Sequence, residues 1–227
     1  MAMDWLLTVR QALPHVIRLG RHMRPTLHLP GVHALELELL QSLGIEGVIW
    51  DVDGTLMPRH GWEVAAPLRP AFQRVVSAPG LRHAILSNAD ERRYRELGTI
   101  FPDIPIVRGY ATAHGVVGKI LLGGTDSWVS GGAPVGAPPA MHALRKPSAE
   151  LIGVAVAALG VQSRDAVLMV GDQYLTDIAG ANLGGIRSLK VPTYAPDSFP
   201  MSVRVLQALE RLWYRAAYTG GSPTTAP

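Results

Sequence analysis

Two carboxylates one residue apart, Asp51 and Asp53, close an apolar run in Gly47-Val48-Ile49-Trp50-Asp51-Val52-Asp53-Gly54-Thr55-Leu56. Residues i and i+2 of a strand share a face, but the chain turns after Asp51. The two carboxylates can then address one substrate from different sides, one attacking and the other handling a proton. A plainer account of the same residues is a buried strand that runs into an acidic turn. Further along, Val167-Leu168-Met169-Val170-Gly171-Asp172-Gln173-Tyr174-Leu175-Thr176-Asp177 is another apolar run ending in an aspartate, with a second aspartate five residues on. Mg²⁺ takes hard oxygen ligands and is held by one or two carboxylates together with substrate phosphate and water. Asp172, at a strand end beside Asp51, would supply one of them. Asp177 is expected to stand behind, positioning Lys146 or a metal-bound water. A pair of aspartates capping the helix over 176–183 is the competing account.

Two further elements fit an anionic substrate. Ser87 follows a strand in Ala84-Ile85-Leu86-Ser87-Asn88-Ala89-Asp90, where its hydroxyl and the next backbone N–H can donate to a phosphoryl oxygen, although Ser-Asn is also a common helix cap. Lys146, in Arg145-Lys146-Pro147-Ser148, is one of only three lysines among 21 basic residues, with Lys119 and Lys190. In a chain that otherwise uses arginine, a lysine suits a compact charge beside a phosphate; a solvated charge at a helix start is the alternative.

These residues need elements that bring them together. Strands are expected at 47–50, 82–86, 104–107, 166–170 and 186–191, and helices at 3–13, 33–43, 67–78, 91–99, 147–159 and 176–183. Strands alternating with helices imply a parallel sheet wound by right-handed crossovers. Residues 111–140 break the rhythm with seven glycines and three prolines, and are expected to be an extended insertion, either a lid facing substrate or filler. Residues 1–218 read as one domain with a helical N-terminal extension over 1–44, and 219–227 as a disordered tail.

Composition narrows the classes. The chain has 227 residues and no cysteine, which excludes disulfides, thiolate catalysis and cysteine-based zinc sites. No apolar run approaches the ~20 residues of a membrane span. Asp4 and Pro14 interrupt what a secretory leader would need as an apolar core, so a cytoplasmic protein is expected. The net charge of +3 favours anionic partners. Nucleic acid is not expected among them, because the arginines are spread out without interleaved aromatics.

Taken in order, Asp-x-Asp-Gly-Thr, a serine at a strand end, a lysine before a helix and Gly-Asp-x-x-x-x-Asp resemble the motifs of the haloacid dehalogenase (HAD) superfamily over roughly residues 30–195. Leu-Pro-Gly before the first motif, Ser-Asn-Ala-Asp-Glu-Arg-Arg, Arg-Lys-Pro and Gly-Asp-Gln-Tyr-Leu-Thr-Asp-Ile-Ala-Gly-Ala-Asn-Leu-Gly-Gly-Ile narrow the resemblance. They are similar to subfamily IIIA and its YqeG-type branch, related to phosphatidylglycerophosphate phosphatases.

The resemblance implies an α/β, Rossmann-like three-layer fold with a central parallel sheet and no full cap domain. Its first strand would lie between those carrying Ser87 and Asp172. It also implies a Mg²⁺-dependent phosphomonoester hydrolase in which Asp51 attacks phosphorus and Asp53 acts as acid, then base. Mg²⁺ would be held by Asp51, the Asp53 backbone carbonyl and Asp172, with Thr55 and Asp177 behind them. Ser87, Asn88 and Lys146 would hold the phosphoryl oxygens. A lipid phosphate and a soluble sugar or nucleotide phosphate are both open as substrate. A catalytically silent scaffold that binds anionic partners is the alternative from another class.

The chain ends add a possible partner. Residues 1–30 and 199–218 combine arginines with apolar and aromatic residues at helical spacing, as an interfacial helix on an anionic membrane does. Packing of both helices on the sheet accounts for the same pattern. The sequence sets no oligomeric state.

Overall fold

The computed structural model describes residues 19–129 and 141–218. Among the described residues nine strands form one sheet in the order β1-β9-β8-β2-β3-β4-β5-β6, with β7 beside β4. They are β1 Leu27–His28, β2 Gly47–Trp50, β3 Arg82–Ile85, β4 Ile106–Thr112, β5 Gly115–Leu122, β6 Thr125–Val129, β7 His142–Ala143, β8 Val167–Gly171 and β9 Arg187–Lys190. Strand β2 is central because it has nothing polar to expose: all four of its residues are buried. Its side chains alternate between two cores, as strand geometry requires. Val48 and Trp50 pack with Leu40, Phe72 and Val75 on one face, whereas Ile49 packs with Leu151, Ala155 and Met169 on the other.

The helices are α1 Leu37–Ser42, α2 Arg69–Val76, α3 Glu91–Ile100, α4 Ala149–Leu159, α5 Ala179–Leu183 and α6 Met201–Tyr218. The expected strands and helices from residue 33 to residue 191 are thus present with shifted ends. The helix expected over 33–43 is shorter, because Val32–Ala34 form a separate 3₁₀ turn before α1. The extension before β2 also supplies β1, which pairs parallel with β9. The expected helix over 3–13, the tail 219–227 and the 130–140 part of the insertion lie outside the described residues. The segment between the first motif and β3 holds α2 and no further helix or strand.

The insertion is where structure and expectation part. Residues 111–129 are neither lid nor filler: they complete β4 and form β5 and β6, an antiparallel meander that extends the parallel sheet. The glycines that suggested an irregular segment make its turns and its packing. Gly123 and Gly124, with φ of 55° and 78°, form the two-residue loop between Leu122 and its partner Thr125, and such a hairpin loop needs positive φ at both positions. A Cβ on Gly118 would lie 2.4 Å from Val154 Cγ1, so glycine there lets α4 approach β5.

Candidate active site

Sheet register assembles the site. Trp50 is opposite Val170 on one side and Ile85 on the other. The Asp51 N–H donates to Val170 O at 2.9 Å and the Leu86 N–H to Trp50 O at 2.9 Å. The residues that leave these three strands, Asp51, Asp172 and Ser87, therefore emerge together at the carboxyl edge, where open α/β sheets bind ligands.

Lys146 joins them from the loop before α4. Its ammonium lies 2.5 Å from Asp51 Oδ1 and 2.6 Å from Asp177 Oδ1, and all three side chains are buried. Asn88 fixes the lysine backbone by accepting from the Lys146 N–H at 2.8 Å and donating to its carbonyl at 3.2 Å. Asp177 is set by a π-helical turn over Tyr174–Ile178, in which the Asp177 and Ile178 N–H groups share Gln173 O. The wide turn lets Asp177 Oδ2 accept from the Gln173 N–H at 2.9 Å. Gly171 makes room for this, since a Cβ there would fall 2.3 Å from Asp177 Cβ. Both Asp177 oxygens are thus used within the chain, one on the Lys146 ammonium and one on the N–H that starts its own helical turn. Ser87 and Asn88 are not a helix cap: Asp90 performs that task for α3, accepting from the Arg93 N–H at 2.8 Å.

Asp51, Asp172 and Asp177 each present an oxygen within 4.8 Å of the others. Among the described residues Lys146 is the one cation paired with them. Burial and the neighbouring charges together shift the pKa values of the group. Burial pushes Asp51 up to about 7, with Asp177 adding to the shift and Lys146 and Thr55 opposing it. Burial, then Asp177 and Asp51, push Asp172 well above the usual carboxylate range. Burial works against the Lys146 charge, but Asp177 and Asp51 outweigh it and hold the ammonium above its ordinary value. Thr55 Oγ1 donates to Asp51 Oδ2 at 2.9 Å and lies 3.5 Å from Asp172 Oδ1. A buried set of hard oxygens with excess negative charge fits a divalent cation such as Mg²⁺.

Asp53 stands apart from that group. Its carboxylate accepts from Arg93 Nη2 at 2.8 Å, Arg93 Nε at 3.3 Å and the His60 N–H at 2.9 Å. Gly54, at φ 90°, turns the chain here; a Cβ would meet Phe199 at 2.8 Å and Asp172 Oδ2 at 3.1 Å. An open cleft of about 610 Å³ exposes Asp51, Asp53, Ser87, Asn88 and Lys146 to one volume, rimmed by Phe199, Val203 and Leu206.

Three residues at the site were not singled out from sequence. Arg93, buried, is the clamp on Asp53; it is the third residue of α3, and its signal was a charged residue on the helix face that meets the core. Gln207 Nε2 reaches Asp172 Oδ2 at 3.4 Å, and Glu210 Oε2 accepts from the Tyr174 N–H at 3.1 Å. These two polar residues, three apart on an otherwise apolar-rich helix, were legible as a stripe, but nothing local showed that the stripe turns inward.

Comparisons with known proteins find a family model, two curated relatives and a solved structure to which the chain is similar. Residues 143–195, which carry Lys146, Asp172 and Asp177, match the family model described as HAD-hydrolase-like. Over that segment the chain is similar to HAD-like hydrolases. It is 27% identical over 193 residues to phosphatidylglycerophosphate phosphatase 1, chloroplastic, of Chlamydomonas reinhardtii, covering 83% of this chain and 60% of that protein. It is 25% identical over 202 residues to the probable phosphatase YqeG of Bacillus subtilis, covering 85% of this chain and 95% of that one. A crystal structure of an uncharacterized protein from Listeria monocytogenes serotype 4b aligns at a TM-score of 0.40 and 18% identity, over 74% of this chain and 99% of that one.

Glu210 makes the inner face of α6 sensitive to pH. Burial pushes its carboxyl up to about 7; the Leu175 and Tyr174 N–H groups and Lys190 oppose the shift, and Asp177 adds to it. Its Oε1 has no hydrogen-bond partner among the described residues. The folded state therefore holds this proton more tightly than the unfolded chain. Stability falls as pH rises from about 4.5 to about 7, with a slope from this group of up to about 1.4 kcal/mol per pH unit, and the contribution is flat above that. Urea denaturation across that interval should give a shallower fall for Glu210→Gln than for the wild type; equal slopes would place the pH dependence elsewhere.

Proposed function

We propose that the protein is a Mg²⁺-dependent phosphomonoester hydrolase working through an aspartyl-phosphate. The observation that carries this reading is the placement of Asp51 at the end of the central strand, held by Lys146, beside Asp172 and open to the cleft. Asp51 and Asp172 carboxylate oxygens, with the Asp53 backbone carbonyl, would hold the cation, which supplies charge neutralisation around the transferring phosphoryl group.

The chain's own groups do the rest. An Asp51 oxygen attacks phosphorus in line; the ester P–O bond breaks, and the leaving alkoxide takes a proton from Asp53. Water then gives a proton to Asp53 and attacks the same phosphorus, breaking the Asp51 O–P bond and releasing phosphate. Lys146, the Ser87 hydroxyl and the Asn88 N–H stabilise the equatorial oxygens, where charge gathers in phosphoryl transfer. Arg93 forks onto Asp53 and sets the direction of its carboxylate, an arrangement lysine cannot reproduce.

For the substrate, we infer a lipid phosphate of the phosphatidylglycerophosphate class. The relative named for that activity supports it, as does a wide cleft with an apolar rim. A soluble sugar or nucleotide phosphate is the competing substrate. Side-by-side turnover of the two classes decides between them.

On a generic aryl phosphate, activity should require Mg²⁺, and Asp51→Asn should remove essentially all turnover, since Asp51 is the group that forms the covalent intermediate. Retention of more than a small fraction of activity would rule out the aspartyl-phosphate route. Arg93→Lys should slow an alkyl phosphate about tenfold or more while leaving an activated aryl phosphate nearly unchanged, because a good leaving group barely needs the Asp53 proton. Equal losses on both substrates would reduce Arg93 to a structural role.

A further inference from the structure

The C-terminal helix α6 is packed with its polar side inward. Gln207 and Glu210 are buried against the site, and Tyr214 stacks on Tyr174 with ring centroids 4.2 Å apart. The opposite side carries Met201, Val205, Leu209 and Leu212 at spacings of four, four and three residues, one continuous stripe along the helix. Their exposures are 67%, 52%, 56% and 60%, and Leu206 beside them is 50% exposed. Isolated exposed leucines are ordinary, whereas a contiguous apolar stripe marks an interaction surface. The helix cannot simply roll to bury it, because its inner face is already engaged with Asp172 and the Tyr174 N–H.

We propose that this outer face of α6 docks the protein on an anionic lipid bilayer, with the active-site cleft brought to headgroup level. Charge complementarity selects this occupant. Arg204, Arg211 and Arg215 all fall on one flank of the stripe, and the only carboxylate of the helix, Glu210, is buried on the other side. Arg204 pairs with Asp197, leaving Arg211 and Arg215, both exposed, as the cations offered outward. Basic residues beside an apolar face are what a helix lying in the interface plane requires. A second copy of the chain would instead meet this surface with its own arginines and no helix carboxylate to pair with them. The stripe is continuous with the cleft: Leu206 and Val203 line the volume that contains Asp51, Asp53 and Lys146, and Arg59 and Arg145 line it too. The orientation of the cleft toward a lipid headgroup rests on the phosphatase reading above; the docking itself does not.

Sedimentation of the full chain with vesicles tests it. The wild type should pellet with phosphatidylglycerol-containing vesicles, not with pure phosphatidylcholine, and added salt should weaken the binding. Val205→Glu/Leu209→Glu should cut binding at least tenfold, and Arg211→Gln/Arg215→Gln severalfold. The first variant should keep aryl-phosphate turnover within twofold and an unchanged Tm, since both positions face outward and neither lines the cleft. Absence of wild-type binding, or full binding by Val205→Glu/Leu209→Glu, would overturn the proposal. So would a wild-type dimer that this variant converts to monomer, which assigns the stripe to a second copy, or a fall in its Tm, which assigns the stripe to the chain's own packing. Vesicle binding without aryl-phosphate turnover would sink the phosphatase reading and leave the docking intact.

Discussion

The ammonium of Lys146, lodged between Asp51 and Asp177 in the floor of the cleft, ties separate parts of the site together. Buried charges are tolerated only when paired, and breaking such a pair leaves an uncompensated ion. Here the pairing draws in three separate pieces of chain: the end of β2, the loop before α4 and the π-helical turn after β8. Each piece has local support of its own. Asn88 grips the lysine backbone, Gly171 clears space for Asp177, and Thr55 steadies the second oxygen of Asp51. Yet one ammonium faces three carboxylates, and burial first, with the neighbouring carboxylates adding to it, raises the pKa of Asp51 and Asp172. A site with surplus negative charge and hard oxygen donors is prepared for a divalent cation and for the phosphoryl group that would accompany it.

The second constraint is the helix that closes the chain. By turning Gln207 and Glu210 inward, α6 supports Asp172 and the π-helical turn; by the same rotation it turns its apolar residues outward. Packing at the site and exposure at the surface are therefore one property of a single amphipathic helix. Among the described residues no helix is long and apolar enough to cross a membrane, so any contact α6 makes with lipid would be along the surface.

The elements that position the chemistry were legible because they are short-range patterns. A buried apolar run ending in Asp51, another ending in Gly171-Asp172, and their alternation with helices imply a parallel sheet, and the family resemblance implies β2 between β8 and β3, as found. The meander was hidden because glycine suggests irregularity when counted in a window, whereas Gly123 and Gly124 serve a hairpin loop and Gly118 a close helix approach. The Arg93 clamp and the inward face of α6 were hidden for another reason. Both are set by tertiary contact: Arg93 meets Asp53 from 40 residues away and Gln207 meets Asp172 from 35, and no local propensity encodes such a meeting. Helical periodicity identifies the stripes of α6 without saying which one the fold will bury.

The claim that most needs testing is that the aspartate cluster is short of one cation. Thermal denaturation at neutral pH, with and without MgCl₂, of the wild type and Asp172→Asn addresses it without reference to any substrate. The account predicts that Mg²⁺ raises the wild-type Tm by binding the folded state and leaves Asp172→Asn unmoved. It also predicts that without metal the variant is at least as stable as the wild type, because an amide of the same shape replaces a buried carboxyl crowded by two others. An unchanged wild-type Tm on adding Mg²⁺, or an equal rise in Asp172→Asn, would contradict it.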